Sequence, residues 1–454
     1  MLWTRLAPVP LDGGGMPTDD VRVVWEASAN QDFATLVAVG SEVAIADQGH
    51  TVHALATLPQ GSWYYRFRAG QYTSPVGRTS PAPTDDVAEV RFAAASCQSY
   101  DAGYYAAHRD IAEQTPDFLL FLGDYIYEGA GLANADSAAR VHLGPEPTTV
   151  EEYRNRYARY KTDENLQAAH AACPWFIMWD DHEVENNYAG LVPQNTDETA
   201  AFAARRFAAY RAWWEHQPVR LPPPTTQDEE YRVYREAKWG DLLTLALLDG
   251  RQYRSDQACG DIVLDIDPAC PEALDADRTM LGVEQEQWLL DTLSASSAHW
   301  NVIGNQVVLA NATLGNGAIL NYDQWDGYPV ARERLLSRLN AARIENLVVI
   351  TGDIHLAAVA RIHDGDVPIG VEFVTTSISS SGLIPAEFQE TIRTFPDLFD
   401  AELEHRGYSL HTVTPERWLT EYRIVADVAS PDSEVTIYGE YLIESGSNTV
   451  QSGV

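Results

Sequence analysis

Lysine is almost missing from this chain. Only Lys161 and Lys238 occur, so the basic residues are nearly all arginine, set against 66 acidic residues and a formal charge of −35. Binding a nucleic-acid backbone needs basic patches, so that class of partner is excluded as a simple electrostatic match. Compositional drift towards arginine and adaptation to salt are competing readings of the acidity. Under either, an anionic substrate requires cations or arginines placed locally. Long apolar runs are missing too: no segment approaches the roughly 18 residues of a membrane span. The opening MLWTRLAPVP has no charged-then-apolar signal region.

Cysteine is scarce, four residues in 454. Cys259 and Cys270 flank a polar stretch, CGDIVLDIDPAC, that reads as a short disulfide-closed loop. Such a bridge implies an oxidising compartment, so the expected location is secreted or periplasmic, with the export signal not in this chain. Cys173, before Pro174 and an apolar run, reads as a small buried side chain. Cys97 belongs to a different set.

What the chain does have is a repeated pattern: apolar segments that stop at polar groups. In DFLLFLGDYIY, residues 117–127, the run Phe118–Leu122 ends at Gly123 and delivers Asp124 and Tyr127. Val90–Ala95 runs into Ser96 and Cys97; Pro174–Trp179 runs into Asp180, Asp181, His182 and Glu183. Leu242–Leu248 leads to Asp249 and Arg251, Val302 and Ile303 to Asn305, and Leu347–Ile350 to Asp353 and His355. Strands buried on both faces read as continuous apolar runs, and ligands gather at their carboxyl ends. One such ending is an ordinary polar turn. Together they predict strands converging on one site.

Residues 1–78 read as a small all-β sandwich, with alternating segments VRVVWEAS, ATLVAVG, TVHALATL and WYYRFRAG. A Pro-rich linker follows at 79–89. From 90 to 454 strands alternate with helical patterns at 104–114, 150–172, 199–216, 283–294 and 330–343, which predicts an α/β layered fold with helices outside the sheets. Further helical pieces are expected at 385–395 and 415–422, then strands in YRIVADV and EVTIYGEYLI, then a frayed tail. Loops at 129–147, 256–280 and 311–328 are long enough to roof a site.

The polar endings suit two-metal phosphoester chemistry, which needs a shared carboxylate, terminal ligands on each ion and a proton donor for the leaving oxygen. Asp124 suits the shared position. Asp353 and His355 lie two apart, on one face of an extended segment. Asp181 offers a ligand beside His182, which stays free as acid or phosphate donor. Cys97 and Tyr127 are anionic sulfur and oxygen donors that favour a transition metal, high-valent iron above all, over calcium or magnesium. The competing readings are a packed aromatic for Tyr127, a satisfied turn imidazole for His182 and a surface ion pair for Arg251.

SCQSYDAGYY, FLGDYIYE, MWDDHEVENN, LDGRQYR, LGVEQEQWL, WDGYP and TGDIH, in that order, resemble the PhoD-like alkaline phosphatases of the calcineurin-like metallophosphoesterase superfamily. LWTRLAP and RGYSLHTVTPERW extend the likeness towards both ends. The resemblance implies a metallophosphoesterase-type β-sandwich flanked by helices and a site of ferric iron (Fe3+) and calcium (Ca2+). It assigns Cys97, Tyr127 and His355 to iron, Asp124 between the metals, and Asp181 and Asp353 to the second metal. His182 would be the phosphate-facing imidazole. Arg251, read from its own position after the strand DLLTLALLD, is expected to reach a phosphate oxygen bidentately. Asn187 is expected to bind substrate, and Asn186, Asn187 or Asp180 to complete the second metal's set. The expected activity is hydrolysis of phosphate monoesters and diesters by metal-bound hydroxide attacking in line, with small phosphoesters, phospholipid or polymer diesters as substrates. A phospholipase D-like diesterase and a calcium-dependent extracellular binding protein are the alternatives.

Overall fold

The computed structural model describes all residues except 132–138, 143, 196–198, 228–229, 262–266, 315 and 454. Its N-terminal region is all β: β1 (Leu2–Arg5), β2 (Val21–Ser28), β3 (Leu36–Ala44), β4 (Thr51–Ala54), β5 (Trp63–Ala69), β6 (Tyr72–Thr73) and β7 (Gly77–Thr79). Alternation in β2 turns Val23, Trp25 and Ala27 inward, the first two onto Leu2, Val52 and Phe67. Four strands lie in the order β3-β2-β5-β6, with β7 also on β5, and β1 pairs with β4. The ring of His53 stacks on Trp214 at 4.4 Å, joining this unit to the rest.

The chain continues through β8 (Val90–Ala95), α1 (Ala106–Gln114), β9 (Phe118–Phe121), α2 (Val150–Tyr160), α3 (Glu164–Ala172), β10 (Trp175–Ile177) and α4 (Thr199–His216). Then come β11 (Arg235–Trp239), β12 (Leu243–Leu247), α5 (Gly282–Ser294), β13 (Trp300–Gly304), α6 (Pro329–Ala341) and β14 (Leu347–Thr351). The last elements are β15 (Ala357–Asp364), β16 (Val367–Val374), α7 (Gln389–Ile392), β17 (Leu398–Glu402), β18 (Arg406–Val413), β19 (Arg417–Val425), β20 (Val435–Glu444) and β21 (Gln451–Ser452).

Two seven-stranded sheets result, in the orders β10-β9-β8-β18-β19-β20-β21 and β11-β12-β13-β14-β16-β15-β17. They pack face to face. Phe118 and Leu120 of β9 point between the sheets with Phe92, Leu245, Val302, Val348 and Phe373, while Leu119 and Phe121 point out to α1–α4 with Ile111, Tyr157 and Trp213. Both faces of β9 are therefore buried, which is why its sequence is an unbroken apolar run; each such side chain contributes about 2 kcal/mol. On the far side α5 and α6 cover Ala246, Ile303 and Val349. The architecture is four layers, helix–sheet–sheet–helix, with an N-terminal all-β region.

β8, β9 and β10 run parallel, as do β12, β13, β14 and β16. Just past β8 and β16, Ser96 and Ser377 form a parallel bridge between the sheets, so the carboxyl ends of both parallel sets meet. The functional residues sit on that shared edge.

The structure differs from the sequence expectation in four elements. The 150–172 helix is two, because the Asp163 side chain accepts from the backbone of Asn165 and Leu166 and starts α3 afresh. Residues 415–422 are not helical: Trp418, Thr420 and Tyr422 are buried at period two, and this is β19. The 385–395 segment holds only a 3-10 turn and the single turn α7. In the described part of the tail, expected to fray, Gln451 and Ser452 pair with β20. Parts of the 129–147, 256–280 and 311–328 loops lie outside the described residues. Among the described residues no helix is long and apolar enough to cross a membrane.

Candidate active site

Cys97, Asp124, Asp353 and His355 sit two to four positions past a buried strand, where the chain must turn sharply to present them, and Asn187 lies further on, in the loop after β10. Cys97, Asp124, Asn187, Asp353 and His355 all have left-handed backbone, with φ of 58°, 57°, 55°, 66° and 56°. That conformation costs a non-glycine residue about 1–2 kcal/mol, and such strain concentrates at functional sites. Gly123 makes the turn after β9 possible: at φ 125° a Cβ there would lie 2.6 Å from the backbone nitrogen of Asp180. Glu183, fully buried, accepts from the backbone N–H groups of Asp124, Tyr125 and Asp180, clamping two strand ends together.

Three overlapping groups of ligand atoms follow. Cys97, Asp124 and His355 offer atoms within 4.8 Å of one another; so do Asp124, Asp181 and His182, and so do Asp180, Asp181 and Asp353. Asp124 is common to the first two groups and Asp181 to the last two. The Tyr127 hydroxyl lies 3.0 Å from Asp124 Oδ2 and 3.0 Å from His355 Nε2. His355 Nδ1 is 2.5 Å from the Ser381 carbonyl, so it carries the ring proton and leaves Nε2 as a lone pair. One phenolic hydrogen thus faces two acceptors. Asp124 Oδ1 is buried with no hydrogen-bond partner.

The electrostatics agree with that shortage of positive charge. Burial, then Asp124 and Asp353, push the Cys97 thiol well above its ordinary pKa. Burial raises the Asp124 carboxyl well above the carboxylate range and, with Asp124 beside it, does the same to the Tyr127 phenol. Asp353 is pushed up to about 7 by burial and Asp323. Sulfur, phenol and carboxyl donors packed together and starved of hydrogen bonds fit cations, with the soft thiol beside imidazole and phenol, and hard oxygens next door. His182 differs: burial lowers its pKa, but Glu128, Asp124 and Asp181 outweigh that and raise it well above normal. Its Nδ1 lies 2.7 Å from Glu128 Oε2, leaving Nε2 as the available nitrogen of a side chain 20% exposed.

Arg251 and Asn187 are both engaged by carboxylates. Arg251 is fully buried, with Nε on Asp180, Nη1 2.8 Å from Asp323 and Nη2 3.2 Å from Asp353 and 3.4 Å from Asp181. A guanidinium committed to four carboxylates is a counter-charge within the cluster and presents no open fork to a phosphate. Asn187 gives one side-chain N–H to Asp261, at 2.7 Å, which fixes the amide nitrogen on that side and leaves its oxygen and one further N–H. Asn305, at the end of β13, holds its own loop through the Val307 carbonyl.

A sequence model of the PhoD-like phosphatase family matches residues 92–422, and one of the family's N-terminal domain matches residues 1–83. The chain belongs to the PhoD-like phosphatase family. It is 39% identical to alkaline phosphatase D of Bacillus subtilis across 100% of this chain and 81% of the relative. A solved structure described as that of PhoD superposes with a TM-score of 0.93 at 39% identity, covering 99% of this chain and 88% of that one. This PhoD-like phosphatase is a phosphoric ester hydrolase, and its substrates are phosphoesters.

Glu128, Glu183 and Asp323 also shape the site, although no role was expected of them. Glu128 and Glu183 stand inside FLGDYIYE and DDHE and were legible as acidic residues flanking candidate ligands. Asp323, which accepts from Arg251, Arg254 and Gln257, had no local signal. Cys259 and Cys270 are disulfide-bonded, and Cys97 and Cys173 are free and buried.

Proposed function

We propose that this phosphatase is a secreted binuclear iron–calcium enzyme acting on phosphate monoesters and diesters. The observation that carries the reading is the sharing of Asp124 by the Cys97–His355 group and the Asp181–His182 group. Cys97, Tyr127 and His355 would hold ferric iron, Asp181 and Asp353 calcium, and Asp124 both. When bound, the ions supply positive charge at the phosphoryl oxygens and lower the pKa of a coordinated water. The protein's own part is in His182 and Glu128. His182, held cationic by Glu128, donates from Nε2 to the leaving oxygen, and its tilted contact with the Tyr127 ring at 4.1 Å fixes its direction. Arg251 keeps Asp180, Asp181, Asp323 and Asp353 together against their mutual repulsion. In this reading residues 1–78 are a separate domain, 79–89 a linker and 90–454 the catalytic domain. The disulfide supports an exported protein.

The test is Asp124→Asn. It removes the anionic ligand common to both groups, so kcat should fall by several orders of magnitude and iron and calcium content should drop together. Turnover near that of the wild type with full metal content would sink the binuclear assignment. Comparing kcat/KM for a nitrophenyl monoester and a bis-nitrophenyl diester ranks the two substrate classes.

A further inference from the structure

Among its described residues, the disulfide-closed loop reaches the site through Asp261. Asp261 lies two positions after Cys259, which is bonded to Cys270. Cys259, Gly260 and Asp261 are three consecutive left-handed residues, with φ of 61°, 74° and 54°. A chain does not hold that conformation unaided at two non-glycine positions; the bridge constrains one end of it. At the other end Asp261 Oδ2 accepts from Asn187 Nδ2 at 2.7 Å and from Gln194 Nε2 at 3.5 Å.

Asn187 is pinned at every other polar atom but one. Its backbone N–H donates to Asp181 Oδ2 at 2.7 Å, and its carbonyl accepts from Arg254 at 3.2 Å and from Gln257 at 2.8 Å. An ionised carboxylate only accepts, so the contact with Asp261 must be made by the amide nitrogen, and the flip of the Asn187 amide is decided. Oδ1 is left as its single unengaged polar atom among the described residues. It is a neutral hard oxygen on a residue tied directly to Asp181, the kind of donor that calcium takes.

We propose that Asp261, held in place by the Cys259–Cys270 bridge, is a positioning residue that fixes the Asn187 amide with its oxygen towards the divalent-cation side of the site. The inference rests on the two-metal reading above. Asp261→Ala removes the acceptor and lets the amide rotate. Asp261→Asn keeps an accepting oxygen and loses only charge. Cys259→Ser with Cys270→Ser keeps the Asp261 side chain but frees the loop that holds it.

Full-length protein dialysed against a calcium chelator is titrated with calcium by calorimetry, and iron content and melting temperature are measured on the same samples. Asp261→Ala should weaken calcium binding by about 10–100-fold, the usual effect of losing a partner that orients a ligand. The cysteine pair should shift affinity the same way, and Asp261→Asn should recover most of it. In an Asn187→Ala background Asp261→Ala should have no further effect, because the two act through one atom. Iron content should stay unchanged throughout. Calcium affinity in Asp261→Ala equal to that of the wild type, or a loss that persists in the Asn187→Ala background, overturns the inference. A wild-type protein that binds no calcium overturns the two-metal reading instead.

Discussion

At the scale of single residues, the informative group is Tyr127. A phenolate on ferric iron gives a ligand-to-metal charge-transfer band, and a thiolate from Cys97 adds to it; calcium or zinc gives none. Tyr127→Phe keeps the ring on His182 and removes the oxygen that faces Asp124 and His355. Concentrated holoenzyme should therefore be coloured, and the variant's visible band should shift or vanish while its melting temperature with metal present is kept. A colourless, iron-free and fully active wild type would remove iron from the account and leave the phosphatase. Lys161, one of only two lysines, makes a separate prediction. Its ammonium lies over the rings of Trp3 and Tyr125 and donates to the Tyr125 hydroxyl, with no carboxylate partner among the described residues. Burial, then Arg5, lowers its pKa from 10.5 to about 7. Between those values the unfolded chain holds a proton that the folded chain has released, so stability rises with pH across that window. Below about pH 7 both states are charged and the burial cost is borne in full. Lys161→Met should raise the melting temperature near pH 6.5, by the equivalent of on the order of 1–2 kcal/mol once partial exposure is allowed for. The gain should shrink towards pH 10, and a gap that does not change with pH would show that the ammonium is already well solvated.

At the scale of elements, α2 begins with Thr149 accepting from the backbone of Glu152 and Glu152 reaching back to the backbone of Thr149. This reciprocal cap is exposed, so Thr149→Ala should cost about 1 kcal/mol in denaturant melts and leave kcat unchanged. A loss of activity without a loss of stability would mean that α2 serves the site rather than the wall behind it. The same elements show what could be read from the chain. β8, β9, β12 and β14 were legible because both of their faces are buried, and the side chains at their ends were legible because a strand end fixes where the next residues go. β19 was misread because its alternation of Trp418, Thr420 and Tyr422 sits next to a Pro-Glu-Arg start that resembles a helix entry. The break at Asp163 depended on one capping carboxylate within an otherwise periodic stretch. The hydrogen-bond settings of Arg251 and Asn187 were not legible. They are set by Asp323, Asp353 and Asp261, between 72 and 102 residues away from them along the chain.

For the whole molecule, the charge of −35 is a property that no single site explains, and it bears on how substrate arrives. Inside the site the carboxylates, thiol and phenol are in rough balance with Arg251, Arg254, His182 and the two proposed ions, so the local field on an approaching anion is weak. The long-range field is then that of the acid surface, and it repels phosphoesters. Its reach is set by the Debye length, about 30 Å at 0.01 M salt and about 10 Å at 0.1 M. Added salt should therefore raise kcat/KM, the reverse of the usual loss of electrostatic steering. A phosphate monoester carries close to two negative charges at alkaline pH and a diester one, so the monoester should gain more. The measurement is kcat/KM for both chromogenic esters from about 0.02 M to about 0.3 M sodium chloride, with calcium held constant and saturating. A shallow rise for the diester and a steeper one for the monoester is the expected result. A fall for both would mean that the entrance is locally positive despite the chain's composition, and that cationic groups at the site's rim outweigh the acid surface.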